Sequence, residues 1–417
     1  MLTQDQNETL TRVEGDAPMG HLMREHYWIP AVLSSQLVAD GAPIRVRLLG
    51  EDHVAFRTAE GRIGFFAEGC PHRGCSLVLA RNEDSGLRCI FHGWKIDVGG
   101  TVVDVPTHGA NRESFASKVP VEHFPTHEGG GIVWVWLGKT PAPPFPELPF
   151  TVLPASRVWV TTTKVDCNWL QGVEASLDSA HVGTLHQSYI ARHRTPDREK
   201  TIANALDALA PRYEVERTTY GVDAAALREL PDGNTYLRTT KYLMPFINLV
   251  PGSPKEGSHG VLFIASPIDD THHNLFFGTW SETDDFNTGD DVPDRQRILM
   301  GDRPYDPHDF GGFSAGRDEN FGQDREAMRD GHFSGFLGNL LQEDIVTQVS
   351  MGPIVDRTKE HLSTSDVAIV HARRRLFEAL ADAGAGRHPS GPPDTLDFSD
   401  VNPIDTVLTA EGLSAGD

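Results

Sequence analysis

Two short stretches, Cys70-Pro71-His72 and Cys89-Ile90-Phe91-His92, carry the residue types that hold metals. Each supplies one Cys and one His, and sixteen residues separate His72 from Cys89. Two thiolates and two neutral imidazoles suit a tetrahedral zinc ion. They also suit a [2Fe–2S] cluster in which two His replace two Cys on one iron. The spacing favours the cluster. Zinc fingers pair like ligands, Cys with Cys and His with His. Here each loop mixes them, which lets both Cys hold one iron and both His the other. Gly74 and Gly93 stand beside the ligands, where backbone must approach inorganic sulfide closely. A buried Cys and His set with no metal is the bland alternative. It is disfavoured because three of the four cysteines in the chain fall inside this stretch.

The two boxes resemble the Rieske [2Fe–2S] motif, and that resemblance assigns Cys70, His72, Cys89 and His92 as cluster ligands. Rieske proteins of the respiratory type carry one further Cys in each box, joined as a disulfide. Here the first box has Cys75 but the second has Phe91 in the partner position, so Cys75 is expected to be a free, buried thiol. Trp94 stands where the respiratory type has a Ser that hydrogen-bonds the cluster. Fewer hydrogen bonds to cluster sulfur imply a potential toward the lower end of the roughly −150 to +300 mV Rieske range. The resemblance points to the soluble oxygenase or ferredoxin branch.

A second set lies downstream, in residues 167 to 186. Gln171, Glu174, Asp178 and His181 fall three, four and three residues apart, on one face of a helix. Leu170, Val173, Leu177 and Ala180 form the adjoining apolar stripe. As a helix alone this reads as amphipathic, with a solvated polar face. His181 and His186 alter the reading. Five residues apart, they share no helix face, but a break at Gly183 lets both rings converge. Two converging His want a carboxylate to complete the 2-His-1-carboxylate triad of non-haem Fe(II) sites.

The pattern Asn168-Trp169-x-Gln171-x2-Glu174-x3-Asp178-x2-His181-x4-His186 resembles the mononuclear-iron motif of Rieske non-haem iron oxygenase α subunits. Nearly the whole chain fits that family in order. The stretch Gln342-Glu343-Asp344-Ile345, running to Gly352-Pro353 and then Asp356-Arg357-Thr358, looks like the phthalate dioxygenase-type branch. On that resemblance His181, His186 and Asp344 hold a mononuclear Fe(II), with Glu343 the neighbour that competes for the place of Asp344. Without the two His, Asp344 reads as a helix surface carboxylate. The resemblance further implies that Asn168 lies near the iron without binding it. It implies that Asp178 bridges the two sites, accepting from the free N–H of His181 and meeting His92 of a neighbouring chain.

The fold the family implies is α+β: a small all-β Rieske domain, then a catalytic domain with a curved antiparallel sheet flanked by helices. The implied reaction is O2-dependent hydroxylation, with NADH electrons arriving through a separate flavin and iron–sulfur reductase or an added ferredoxin. The implied substrate is a small aromatic acid or aryl ether, phthalate- or phenoxybenzoate-like. Monooxygenation and O-demethylation share the same ligands and stay open. A Rieske electron carrier is the competing class, and a zinc module a third; the long second part of the chain argues against both. Family chains assemble as head-to-tail trimers or trimer-based hexamers. An anionic substrate needs a cation, for which Lys241, Arg238, Arg192 and Arg194 are available, each read first as a surface charge. Leu243, Met244, Phe246 and Ile247 are pocket candidates, read first as core.

The elements that must position these groups are legible in outline. Residues 8 to 40 read as helical and then irregular. Ile44, Val46 and Leu48 begin an alternating run, with a turn near Glu51 and strands through Val54 to Phe56 and Ile63 to Phe66. Strand signals return at Thr101 to Val103 and Gly131 to Trp136, and the Pro-rich run from Pro141 to Pro146 is a natural boundary. The division expected is an N-terminal helical segment over 1–39, a Rieske domain over 40–140 and a catalytic domain over 150–417. In the last, strands are expected at 158–165, 213–220, 235–243, 260–266 and 273–280, and helices at 324–329, 340–351 and 365–381. Residues 191–210 read as a loop or covering helix, 284–320 as a long surface loop, and the C-terminal residues lack periodicity. The chain has 417 residues, 39% hydrophobic, and a net charge of −22. That charge excludes nucleic acid and anionic membrane as partners and otherwise reads as ordinary solubility. Residues 1 to 7 have no apolar core, no stretch approaches 18 apolar residues, and cluster thiolates suit a reducing cytoplasm.

Overall fold

The computed structural model describes residues 1–192, 202–252, 259–283, 306–311, 316–389, 398–399 and 401–409. The chain opens with helices α1 (Gln4–Thr11) and α2 (Pro18–His26). Three small antiparallel sheets follow. Strand β1 (Ile29–Leu33) pairs with β10 (Ile132–Val135), which pairs with β9 (Thr126–Gly129). Strands β2 (Ile44–Leu48), β3 (Glu51–Arg57) and β4 (Ile63–Ala67) form a meander. Strands β5 (Arg81–Glu83), β6 (Gly86–Arg88), β7 (Lys95–Asp97) and β8 (Val102–Asp104) form another, followed by the short helix α3 (Arg112–Ala116). The stretch expected to be irregular after α2 thus contains a strand. Every residue of β1 is buried, which hides the alternation that would have marked it. The first turn falls at Leu49-Gly50, one step before the expected position, because Leu49 and Gly50 take positive φ.

The second part is one antiparallel sheet ordered β11 (Val158–Val165), β17 (His273–Ser281), β16 (His259–Pro267), β15 (Ile247–Pro251), β14 (Thr235–Leu243), β13 (Gly221–Glu229) and β12 (Arg212–Arg217). Strand β18 (Ile404–Leu408) pairs with the first half of β14, beyond the reach of β15. Strands β13, β15 and β18 are not visible in the sequence reading. β15 is buried throughout, and β18 is strand only because β14 offers it an open edge. Helices α4 (Trp169–Leu177), α5 (Val182–Leu185), α6 (Gln187–Arg192) and α7 (Asn204–Asp207) follow β11. Helices α8 (Arg325–Arg329), α9 (Leu340–Ser350) and α10 (Val367–Gly384) lie between β17 and β18. Residues 193–201, and 284–305 with 312–315 of the expected long loop, lie outside the described residues.

Helix α4 carries the downstream motif, and its surroundings explain its sequence. Trp169, Leu170, Val173 and Leu177 are buried in the main core. Gly172 allows close approach to the sheet, since a Cβ there would come 2.7 Å from Nε2 of His273. The polar face is not solvated. Gln171 donates to the carbonyls of Gln348 and Gly352 at 3.0 and 3.1 Å and accepts from the Val355 N–H at 3.0 Å, tying α4 to the end of α9. Glu174 receives Arg357 at 2.7 Å and Arg373 at 2.6 Å, and both guanidiniums are buried. Desolvation would raise the Glu174 carboxyl; the two guanidiniums outweigh it and hold it below the usual carboxylate range. The helix is thereby fixed to α9 through the Gln171 amide and to α10 through the Glu174–Arg373 ion pair, and not by apolar contacts alone.

Candidate metal centres

The two Cys/His boxes are built alike. In the first, Cys70 N–H donates to the Cys75 carbonyl at 2.8 Å and Gly74 N–H returns to the Cys70 carbonyl at 2.8 Å. In the second, Cys89 N–H donates to the Trp94 carbonyl at 2.9 Å and Gly93 N–H returns to the Cys89 carbonyl at 3.0 Å. Gly74 and Gly93 sit at φ of +72° and +73°, the left-handed turn that closes each loop around its ligands. Cys70 and Cys89 are buried, and the rings of His72 and His92 lie 4.5 Å apart between centroids. The buried Nδ1 of His92 has no hydrogen-bond partner among the described residues. Burial pushes the Cys70 thiol up to about 11, a cost that a metal cation in the proton's place relieves. An orphaned imidazole nitrogen beside two buried thiols fits a [2Fe–2S] cluster. Trp94 stacks on the His72 ring at 4.4 Å and shields it. Cys75 is free as expected, but half-buried rather than buried.

The downstream ligand candidates converge at the other end of α4. The helix ends at Asp178, whose extended backbone (φ −71°, ψ 123°) breaks it before His181. His181 then caps the one-turn helix α5 at its start and His186 caps it at its end. One turn between them brings their ring centroids to 5.1 Å. The break expected at Gly183 therefore falls five residues upstream, at Asp178. Gly183 instead lets α5 pack against α7, where a Cβ would meet the Ala205 carbonyl at 2.2 Å. Asp344 on α9 completes the group: its Oδ1 lies 3.1 Å from Nε2 of His186 and 3.4 Å from Nε2 of His181. One donor atom from each residue falls within 4.8 Å of the others. Two imidazole nitrogens and one carboxylate oxygen turned on a common point form the donor set of a non-haem iron site.

The electrostatics agree. Burial would raise the Asp344 carboxyl, but the facing imidazoles hold it well below the usual carboxylate range. Burial would lower the His181 pKa, but Asp178 and Asp344 outweigh it and push it up to about 10. The pocket is built to hold positive charge, which protons supply in the metal-free chain and a divalent cation supplies in their place.

Carboxylates also stand behind both imidazoles. Nδ1 of His181 lies 3.2 Å from Oδ2 of Asp178, and Nδ1 of His186 lies 2.7 Å from Oε2 of Glu343. Asp178 is also held by the backbone N–H of Ala180 at 2.7 Å and the hydroxyl of Tyr213 at 3.3 Å. Buried Arg228 donates to the Ser179 carbonyl at 2.5 Å and makes no ion pair among the described residues. Glu343, Tyr213 and Arg228 carry no sequence signal that assigns these places. Only the adjacency of Glu343 to Asp344 hints at one.

Several expected positions differ. Asn168 is the N-cap of α4, fully buried, accepting from Leu170 N–H at 3.1 Å and donating to the carbonyls of Thr11 and Asp270 at 2.8 and 2.7 Å. A nine-residue helix spans about 14 Å, so Asn168 stands at the far end from the His pair and serves as a cap. Leu243, Met244, Phe246 and Ile247 line a cavity with Trp28 and Trp134 whose walls include none of the three ligand candidates. Lys241 pairs with Asp223, and buried Arg238 faces Asp405 at 3.6 Å, so both cations already have partners. Arg192 is exposed, and Arg194 lies outside the described residues.

The chain resembles known proteins over most of its length. Residues 27–125 match the Rieske [2Fe-2S] domain, and residues 135–402 match the family described as LigXa C-terminal domain like. The chain is 41% identical over 414 residues to the phthalate 4,5-dioxygenase oxygenase subunit of Pseudomonas putida, covering 94% of this chain and 89% of that one. It is 36% identical to the 3-chlorobenzoate-3,4-dioxygenase oxygenase subunit of Comamonas testosteroni, covering 94% and 91%. Its fold is that of the terminal oxygenase of carbazole 1,9a-dioxygenase from Novosphingobium sp. KA1, with a TM-score of 0.58 at 20% identity, covering 90% and 96%.

Proposed function

The chain belongs to the Rieske non-haem iron oxygenase family, and on that premise we propose that it hydroxylates a carboxylate-bearing aromatic ring with O2 and NADH electrons. A separate reductase, directly or through a ferredoxin, supplies the electrons. The observation that carries the reading is the convergence of His181, His186 and Asp344, with Asp178 behind His181. The relatives named for phthalate and 3-chlorobenzoate support the substrate class.

In this reading Cys70 and Cys89 hold one iron of the cluster and His72 and His92 the other, while His181, His186 and Asp344 hold the mononuclear iron. When bound, the cluster supplies single electrons and the mononuclear iron a redox centre for O2, which no side chain provides. The side chains orient and insulate. Asp178 and Glu343 each accept from an Nδ1–H, leaving Nε2 of each His as the ligating nitrogen. Arg228 holds the Ser179 carbonyl and so the turn between Asp178 and His181. Its charge offsets part of the negative charge of Asp178.

The chains assemble as a head-to-tail trimer, alone or paired as a hexamer. Ile90 and Phe91, 58% and 56% exposed beside His92, suit contact with the Asp178 face of the next chain. The division proposed is a cluster part over 40–140 and a catalytic part over 150–417; matches over 27–125 and 135–402 support two parts, and β1 joins the former through β10. Among the described residues no helix is long and apolar enough to cross a membrane, and a reducing cytoplasm suits the cluster thiolates of Cys70 and Cys89.

The test is O2 uptake by the reconstituted system across aryl carboxylates, aryl ethers and neutral arenes, with product analysis. The expected result is coupled uptake with an aryl carboxylate and a ring-hydroxylated product. Coupling to a neutral arene alone removes the substrate class. Release of an aldehyde from an aryl ether alone makes the protein an O-demethylase.

A further inference from the structure

The use of Glu343 is what no sequence pattern assigns. Its carboxylate is 1% exposed, and each oxygen has one donor. Oε2 faces Nδ1 of His186 at 2.7 Å, and Oε1 accepts from the Ser334 hydroxyl at 2.5 Å. His186 is itself only 3% exposed. Glu343 and Asp344 are consecutive on α9, so their side chains leave the helix about 100° apart. The His186 ring sits in that angle, with Nδ1 on Glu343 and Nε2 on Asp344. An acceptor at Nδ1 fixes both the tautomer and the rotation of an imidazole. Here it turns the lone pair of Nε2 to the side where Asp344 and His181 converge.

Ser334 carries the arrangement further. It lies in the loop from Gly331 to Gly338, which turns at Gly335 with φ +77°. The loop is held by Gln323, which donates to the Ser334 carbonyl at 2.6 Å, and by Ser188, two residues beyond His186, which accepts from Phe333 N–H at 2.8 Å. The same loop leaves Phe333 and Leu337 exposed. It therefore reaches the surroundings of His186 at two points, Ser188 by the Phe333 N–H and Glu343 by the Ser334 hydroxyl.

We propose that Glu343 is the positioning residue of the mononuclear centre: braced by Ser334, it holds His186 in its ligating orientation, as Asp178 holds His181. This rests on the reading that His186 binds the metal. The two carboxylates differ in reach. Asp178 is 22% exposed and open to a neighbouring chain, whereas Glu343 is sealed and acts only within its own.

The test uses the full chain with its cluster intact and oxidised, and the mononuclear site stripped by chelation. Co(II) is the probe, read by titration and by its own EPR signal, with the visible absorption of the cluster as the check on folding. Glu343→Ala should weaken Co(II) binding about ten- to hundredfold and alter the EPR signal, as expected when the partner of a ligand His is lost. Glu343→Gln keeps an acceptor without the charge and should fall between Ala and wild type. Ser334→Ala should alter the signal with a smaller loss. Binding within about twofold of wild type and an unchanged signal in Glu343→Ala and Glu343→Gln overturns the proposal. If Glu343→Ala does not fold, Glu343→Gln decides by the same criterion. His186→Ala separates the two readings. If it too binds Co(II) as wild type does, the metal site itself is misplaced. If it loses Co(II) while the Glu343 variants keep it, only the role of Glu343 falls.

Discussion

Nε2 of His186 lies 3.1 Å from Oδ1 of Asp344, although the two residues stand on helices far apart in the chain. The contact exists because Gln171 fixes α4 to the end of α9, through the Gln348 and Gly352 carbonyls. The same carboxylate oxygen serves His181 at 3.4 Å. A single atom facing two imidazoles is an arrangement that a cation stabilises.

Asp344→Ala should therefore lose the mononuclear iron and all turnover while the cluster keeps its visible absorption. Iron analysis together with the spectrum checks this. Retained activity in Asp344→Ala, with Glu343→Ala inactive, would move the ligand by one residue.

At the cluster, His92→Cys should lower the reduction potential, because a thiolate adds negative charge where a neutral imidazole stood. Protein-film voltammetry measures it. A protein purified with stoichiometric zinc and no iron would remove the cluster assignment altogether.

Asp178→Asn keeps the size of the side chain and loses its charge. Both metals should stay bound, and the reductase should reduce the cluster normally. Transfer onward to the mononuclear iron should fall by orders of magnitude. Single-turnover kinetics on pre-reduced protein decide it: product at the wild-type rate means that Asp178 does not couple the sites.

His273 makes acid stability testable. It is fully buried, with Nδ1 donating to the Cys167 carbonyl at 2.8 Å, and burial lowers its pKa from 6.5 to about 4. The native chain thus refuses a proton that the unfolded chain accepts. Stability from this group is complete above the unfolded value and is lost as pH falls through the window from 6.5 to about 4. The full loss is roughly 3 kcal/mol, at about 1.4 kcal/mol per unit. Urea midpoints between pH 7 and pH 5 should fall more steeply for wild type than for His273→Asn, which keeps a donor but cannot titrate. Equal slopes would count against a buried neutral imidazole.

Much of this protein is legible in the residues because metal chemistry dictates residue type and short-range spacing. Each Cys/His box is one closed loop of local hydrogen bonds, so Cys70, His72, Cys89 and His92 stand out as ligand candidates without reference to the rest of the chain. His181 and His186 do the same across one turn of helix. Strands with one exposed face, such as β2, show their alternation, and helix periodicity marks α4, α9 and α10.

What the tertiary structure decides is everything that depends on where one element lies against another. Helix arithmetic put Gln171, Glu174, Asp178 and His181 on one face, but the chain turns at Asp178, and the polar stripe anchors α9 and α10 instead of facing water. Asn168 shares the motif yet caps the far end of its helix. Strand β15 is hidden by burial on both faces, and β18 by the fact that its partner β14 is distant in sequence. Glu343 and Asp344 are indistinguishable as neighbouring acids until the docking of α9 sets one at Nδ1 of His186 and the other at Nε2. Residue types fix which atoms can bind a metal; only the packing of distant elements fixes which of them meet, because those contacts are set by shape and charge across the fold and not by spacing along the chain.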